Sequence, residues 1–223
     1  MTPKNEYKHP VKQQATGARS TVLVVDDDAS VRESLHSLLR SVGYDVKLFQ
    51  TVEDLLDHRD DLAEAACLVL DVRLPGQSGL ELQRTLMKAG IALPIVFITG
   101  HGDVPMSVAA MKAGATEFLT KPLRDQDLLD AVARGAEQTR ARQAETAALS
   151  ELRQRFETLS PREREVMALV CSGKMNKQIA AELQISEITV KVHRGRVMRK
   201  MQADSLPELV RLADRLAANG ATV

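Results

Sequence analysis

At 223 residues with 44% apolar composition, the chain is long enough for two domains with ordinary packed cores. Thirty basic and thirty acidic residues cancel, but residues 21–137 carry 11 Lys/Arg against 19 Asp/Glu while residues 159–223 carry 11 against 7; this pattern suggests a metal or phosphate site in an acidic module and a polyanion partner for a basic one. No run approaches the ~18 apolar residues of a membrane span and the start lacks a secretory h-region, so the expected location is the cytoplasm, with Cys67 and Cys171 as buried, reduced thiols.

Residues 1–19 are polar and basic, and a disordered tail is expected there. Thr21 to Val25 is a β-branched run, and Ser30 is the expected cap of a helix whose Val31, Leu35, Leu38, Leu39 and Val42 recur at helical spacing up to Gly43. Asp45 to Phe49 alternates as a second strand, and Thr51 caps a helix through Leu56. Cys67 to Leu70 is a buried third strand that delivers Asp71 to its carboxyl end before a Pro-Gly turn. Ser78 to Ala89 then reads as helix, Pro94 to Ile98 as strand, Val104 to Ala113 as helix, Thr116 to Leu119 as strand, and Asp125 onward as helix. Five strands alternating with five helices predict an α/β fold, a doubly wound five-stranded parallel sheet covered on both faces, over residues 20–137.

From Ala136 to about Thr158 the composition shifts to Ala, Gln, Glu and Arg without Pro or Gly, predicting a semi-rigid helical linker over 138–158. On it Leu149, Leu152, Phe156 and Leu159 make either a short pairing seam or one side of a solvated helix. A small all-α module is expected over 159–223. Ser160 caps a helix with Pro161 at its first position, running to Cys171 and stopped by Gly173. Asn176 to Leu183, a Gln184-Ile185 turn, Ser186 as cap and Glu187 to about Met201 form a helix-turn-helix, and a last helix runs from Ser205 to Ala218.

In an open α/β sheet the carboxyl ends of the strands line one crevice. Asp26 and Asp27, Asp71, Thr99 and Lys121 all stand at such ends, so acids, a hydroxyl and an amine should meet. Three carboxylates in one pocket repel, and a divalent cation resolves the repulsion; Mg²⁺ suits an oxygen-rich set that leaves room for water and a phosphoryl oxygen. Phosphoryl transfer needs positioning and charge neutralisation, which the metal and the Lys121 ammonium would supply. Asp28 is expected to be a solvent-facing loop acid, and His101 an exposed loop residue.

The motifs V-L-V-V-D-D-D, L-V-L-D-V-R-L-P-G-Q-S-G, F-I-T-G-H-G-D and F-L-T-K-P resemble the receiver domain of two-component response regulators, with the G-H-G-D continuation most like the FixJ group. The resemblance implies Asp71 as phosphoryl acceptor and Asp27 as direct metal ligand. It further implies Asp26 as a ligand through water, the Arg73 carbonyl as a further ligand, Thr99 and Phe118 as switch residues, Lys121 as phosphoryl partner, a cis Lys121-Pro122 bond, and a dimer face on the fourth helix and fifth strand.

Residues 174–201 hold Lys174, Lys177, Lys191, Arg194, Arg196, Arg199 and Lys200 against Glu182 and Glu187. Val190, Val197 and Met201 should face inward, which leaves Ile188, Lys191, Val192 and Gly195 for base edges, with Lys177, Thr189, Arg194 and Arg196 for phosphates. The run from L-S-P-R-E-R-E-V to V-K-V-H-R resembles the LuxR-type helix-turn-helix of NarL and FixJ regulators, departing at Gly195, where some relatives carry a basic residue. The resemblance implies dimerisation through the last helix. The expected whole is a transcription factor, not an enzyme, phosphorylated by a sensor histidine kinase, dimeric when phosphorylated, and acting with promoter DNA and RNA polymerase to activate transcription. A metal-dependent phosphohydrolase with a non-functional basic tail, and an adaptor working through protein contacts, are the alternatives.

Overall fold

The computed structural model describes residues 20–100 and 103–220; the expectations for the tail at 1–19 and for His101 lie outside the described residues. By its contacts the chain forms two compact units that divide between Arg140 and Ala141.

In the first unit five strands, β1 (Thr21–Val25), β2 (Asp45–Phe49), β3 (Cys67–Asp71), β4 (Ile95–Thr99) and β5 (Glu117–Thr120), form one parallel sheet in the order β2-β1-β3-β4-β5. The central strands β3 and β4 are buried at every position, as continuous apolar runs covered on both faces should be. Their side chains alternate between two cores. Leu23, Val25, Leu68, Leu70, Ile95 and Phe97 point to one, Val22, Val24, Cys67, Val69, Val96 and Ile98 to the other.

Among the described residues six helices cover the sheet: α1 (Ala29–Ser41), α2 (Val52–Asp57), α3 (Arg59–Glu64), α4 (Gly79–Lys88), α5 (Val104–Lys112) and α6 (Asp125–Glu157). The first core takes Val52, Leu55, Leu62, Leu82, Leu86 and Ala110 from α2 to α5, and the second takes Leu35, Leu39, Leu128, Ala131 and Val132 from α1 and α6. Of these, α3 was not expected. The second crossover breaks at His58 (φ −107°, ψ 56°), whose Nδ1 lies 2.8 Å from the Asp54 carbonyl, and chain restarts as α3 to bury Leu62. A second correction concerns α1: Asp28, not Ser30, is the cap, its carboxylate accepting from the Ser30 and Val31 backbone N–H groups at 2.8 and 3.3 Å.

The second unit holds the end of α6 with α7 (Pro161–Cys171), α8 (Asn176–Leu183), α9 (Glu187–Met201) and α10 (Leu206–Ala218). Ser160 and Glu163 close a reciprocal capping box on α7, and Gln184 takes the left-handed conformation (φ 55°) that turns α8 into α9 within three residues. The core joins Val166, Met167, Val170, Ile179, Val190, Val197, Met201, Leu209 and Leu216. Leu152, Phe156 and Leu159 are buried in the same cluster. They are therefore neither a pairing seam nor a solvated surface: the last two turns of α6 are a wall of this unit.

Candidate functional site

The reversal of strand order falls between β1 and β3, and the crevice at their carboxyl ends is acidic. One carboxylate oxygen from each of Asp26, Asp27 and Asp71 lies within 4.8 Å of the others. Asp26 and Asp71 are buried and Asp27 is exposed. Lys121 reaches in from the end of β5, its Nζ donating to Asp26 Oδ2 at 2.6 Å and to Asp71 Oδ2 at 2.7 Å. The remaining oxygens each accept one backbone N–H: Asp28 N–H at 3.0 Å on Asp26 Oδ1, and Arg73 N–H at 2.9 Å on Asp71 Oδ1.

Burial pushes the Asp26 carboxyl up, against the opposing pull of Lys121 and the Asp28 N–H. For Lys121, burial pulls the amine down but its hydrogen bonds to Asp26 and Asp71 more than offset it, and the net shift is upward. The ammonium thus stays charged and holds two buried carboxylates side by side. Three hard oxygen donors that close together, one of them open to solvent, fit a small divalent cation such as Mg²⁺.

Backbone contacts set these positions. The Lys121 N–H donates to the Thr99 carbonyl at 2.8 Å, and the Lys121–Pro122 bond is cis. Thr99 is buried at the end of β4, directly after Ile98, the cross-strand partner of Asp71. Phe118, half-buried on β5, faces Phe97 across the β4–β5 pair with ring centroids 6.3 Å apart.

Three contributors escaped the sequence reading. Arg32 Nη1 donates to the Asp26 carbonyl at 2.6 Å, tying α1 to the end of β1. Gln83, buried on α4, donates to the Ala110 and Ala113 carbonyls at 3.3 and 3.0 Å and so holds the C-terminal end of α5. Gly79 opens α4 against β3: a β-carbon there would collide with the Asp71 carbonyl oxygen and lie 3.0 Å from Leu70 Cγ. The only sequence signal for it is the glycine itself, directly after the Ser78 cap.

In the second unit, α9 turns Val190, Val197 and Met201 into the core and leaves Ile188, Lys191, Val192, Gly195 and Arg196 exposed. Lys177 on α8 is exposed as well, and Thr189 is half-buried with its hydroxyl 2.8 Å from that of Ser186. The basic stripe is less free than it reads. Lys174 pairs with Glu182, Lys200 donates to Glu163 Oε2 at 2.6 Å and to the Thr158 carbonyl at 2.8 Å, and Arg194 Nη1 donates to Asn176 Oδ1 at 2.7 Å.

Two family models cover the chain: the response regulator receiver domain over residues 22–133, and the bacterial regulatory proteins of the luxR family over 157–213. Nodulation protein W of Bradyrhizobium diazoefficiens is 49% identical over 217 residues, covering 97% of this chain and 95% of its own length. The transcriptional regulatory protein FixJ of Rhizobium meliloti is 47% identical over 193 residues, covering 86% and 94%. Among solved structures, the response regulator StyR superposes with a TM-score of 0.79 at 50% identity, covering 89% of this chain and all of that one. Fold, acidic crevice, helix-turn-helix and these relatives agree: the chain belongs to the two-component response regulators that join a receiver domain to a LuxR-type DNA-binding domain and regulate transcription.

Proposed function

We propose that Asp71 is the phosphoryl acceptor of this regulator, and that its phosphorylation by a sensor histidine kinase controls DNA binding by α8 and α9. The observation that carries this reading is the Lys121 Nζ bridging Asp26 and Asp71 in a three-carboxylate crevice. In transfer, an Asp71 oxygen forms the new bond to phosphorus as the bond to the kinase histidine nitrogen breaks. Lys121, already against Asp71, is placed to move its N–H contacts onto the arriving phosphoryl oxygens. Asp27, Asp71 and the Arg73 carbonyl would hold Mg²⁺, with Asp26 acting through water, and the bound ion would supply charge neutralisation. Thr99 donates its hydroxyl to the attached group, and Phe118 follows Thr99 toward a more inward position, shifting an existing two-state equilibrium.

Residues 20–137 act as receiver, 138–158 as helical linker and 159–223 as the DNA-binding region, with Leu152 and Phe156 of the linker completing the core of that region. Lys191 and its exposed neighbours Ile188, Val192 and Gly195 face base edges. Lys177, Thr189 and Arg196 hold phosphates, as does Arg194 through the guanidinium N–H groups not given to Asn176. The phosphorylated protein acts as a homodimer at paired half-sites, with RNA polymerase as downstream partner, in the cytoplasm, and activates transcription. Among the described residues no helix is long and apolar enough to cross a membrane.

The test is labelling of the full chain by acetyl phosphate in Mg²⁺. One acid-stable, hydroxylamine-sensitive phosphoryl group per chain is expected, absent from Asp71→Asn with the fold retained. Undiminished labelling of that variant, or continuous turnover of phosphate esters characteristic of a phosphohydrolase, would overturn the assignment.

A further inference from the structure

The outward side of α9 is built unlike an ordinary solvated helix surface. Ile188 and Val192 stand four residues apart, one turn above the other on one side, and are 77% and 48% exposed. Both are β-branched, a poor choice for an exposed helical position on propensity grounds. Neither enters the core of the unit, which draws on Val190, Val197 and Met201 from the opposite side.

Gly195 adds an independent observation. It lies in the middle of the same helix without a positive φ, and a β-carbon on it would meet nothing within 4 Å. Neither packing nor backbone conformation asks for glycine here, and glycine is among the poorest helix formers. Lys191, Arg196 and Arg199, all exposed and without an ion pair to any described residue, surround the three.

Folding gives no account of this set, so the partner must. It has to be anionic at its rim, apolar at discrete points, and able to approach the helix backbone closely. The DNA major groove meets all three conditions, and its base-pair edges carry one apolar group, the C5 methyl of thymine. We propose that Ile188 and Val192 read thymine methyl groups in the major groove, with Gly195 clearing the space that brings those edges against α9. The inference rests on α9 being the recognition helix and goes further by naming what it recognises.

The experiment selects binding duplexes from a randomised pool with the full chain treated with acetyl phosphate and Mg²⁺. The selected duplex is then rebuilt with deoxyuridine in place of each thymidine in turn, which removes one methyl group and leaves the hydrogen-bonding edge. At one or two positions per half-site, uracil is expected to weaken binding about fourfold, the order for one buried CH₂-sized group. Ile188→Ala and Val192→Ala should each lose that discrimination at one position while keeping the other, as a coupling cycle requires. Gly195→Ala should bind every selected duplex more weakly with no loss of thermal stability. Uracil duplexes bound as tightly as thymine ones, or alanine variants with full methyl discrimination, would overturn the proposal while leaving DNA recognition by α9 standing. A pool from which no duplex is enriched would overturn both.

Discussion

At the level of single residues, the crevice depends on close approach as much as on charge. Gly79 lets α4 start directly against Asp71, so Gly79→Ala is expected to cost roughly 1–3 kcal/mol through overpacking and to slow phosphoryl labelling, read by thermal melting and by acetyl phosphate kinetics. An unchanged melting point would show that β3 and α4 can part cheaply. Asp28 serves the same region differently, by capping α1, and its two backbone hydrogen bonds hold its carboxyl below the usual carboxylate range. Asp28→Ala should lower stability through loss of the cap, measurable by urea unfolding. Cys67 lies with its sulfur close under Gly135, and burial pushes its thiol up to about 12. In the folded protein it should resist iodoacetamide at pH 8 and react once guanidinium is added; rapid modification of the native chain would show that α6 opens.

At the level of elements, caps and docked faces decide where the helices begin and what they hold. Glu163 closes the capping box on α7 and also accepts from Lys200 on α9, so it joins two helices of the DNA-binding unit. Burial pushes its carboxyl up, but Lys200 and the Ser160 contacts outweigh this and the net shift is downward. A depressed folded value contributes stability that is full above the unfolded glutamate value and is lost as pH falls through the folded one. Glu163→Gln should therefore lower the melting point at pH 7, and the difference from wild type should shrink as the pH is lowered; a constant gap would assign the effect to packing. Phe156 on α6 carries a larger load. Phe156→Ala is expected to cost about 3–5 kcal/mol in the second unit, seen as an early unfolding transition, with receiver phosphorylation unaffected. The alternation of strands and helices, and most caps, were legible because each element's burial is written in its own periodicity. The break at His58 and the fate of Leu152 and Phe156 were not, because a short amphipathic run reads the same whether it meets solvent, a second chain or its own domain.

At the level of the whole molecule, a neutral chain hides two units of opposite charge, and that division was visible in composition alone. The acidic crevice was legible for a topological reason: its residues sit at four strand ends that a parallel sheet must gather on one side. The basic stripe is less free in the fold than in the sequence, because a sequence does not show which cations take internal partners. Lys174, Arg194 and Lys200 have partners inside the unit, whereas Lys177, Lys191, Arg196 and Arg199 have none among the described residues. Binding should weaken with salt accordingly. Arg199→Ala is expected to reduce the slope of log K against log salt by ~0.9 per contacted phosphate and to weaken selected and random duplexes alike; an unchanged slope would place Arg199 away from the backbone.

The burial of Leu152 and Phe156 beside a run, Ala141 to Ala148, in which every residue is exposed bears on how such a protein could be recombined. Grafting this output onto a foreign sensor at Pro161 would tear three large apolar side chains, Leu152, Phe156 and Leu159, out of the graft and leave it with a hole. A join inside the exposed run severs nothing that is packed, so chimaeras spliced there should inherit a working reader.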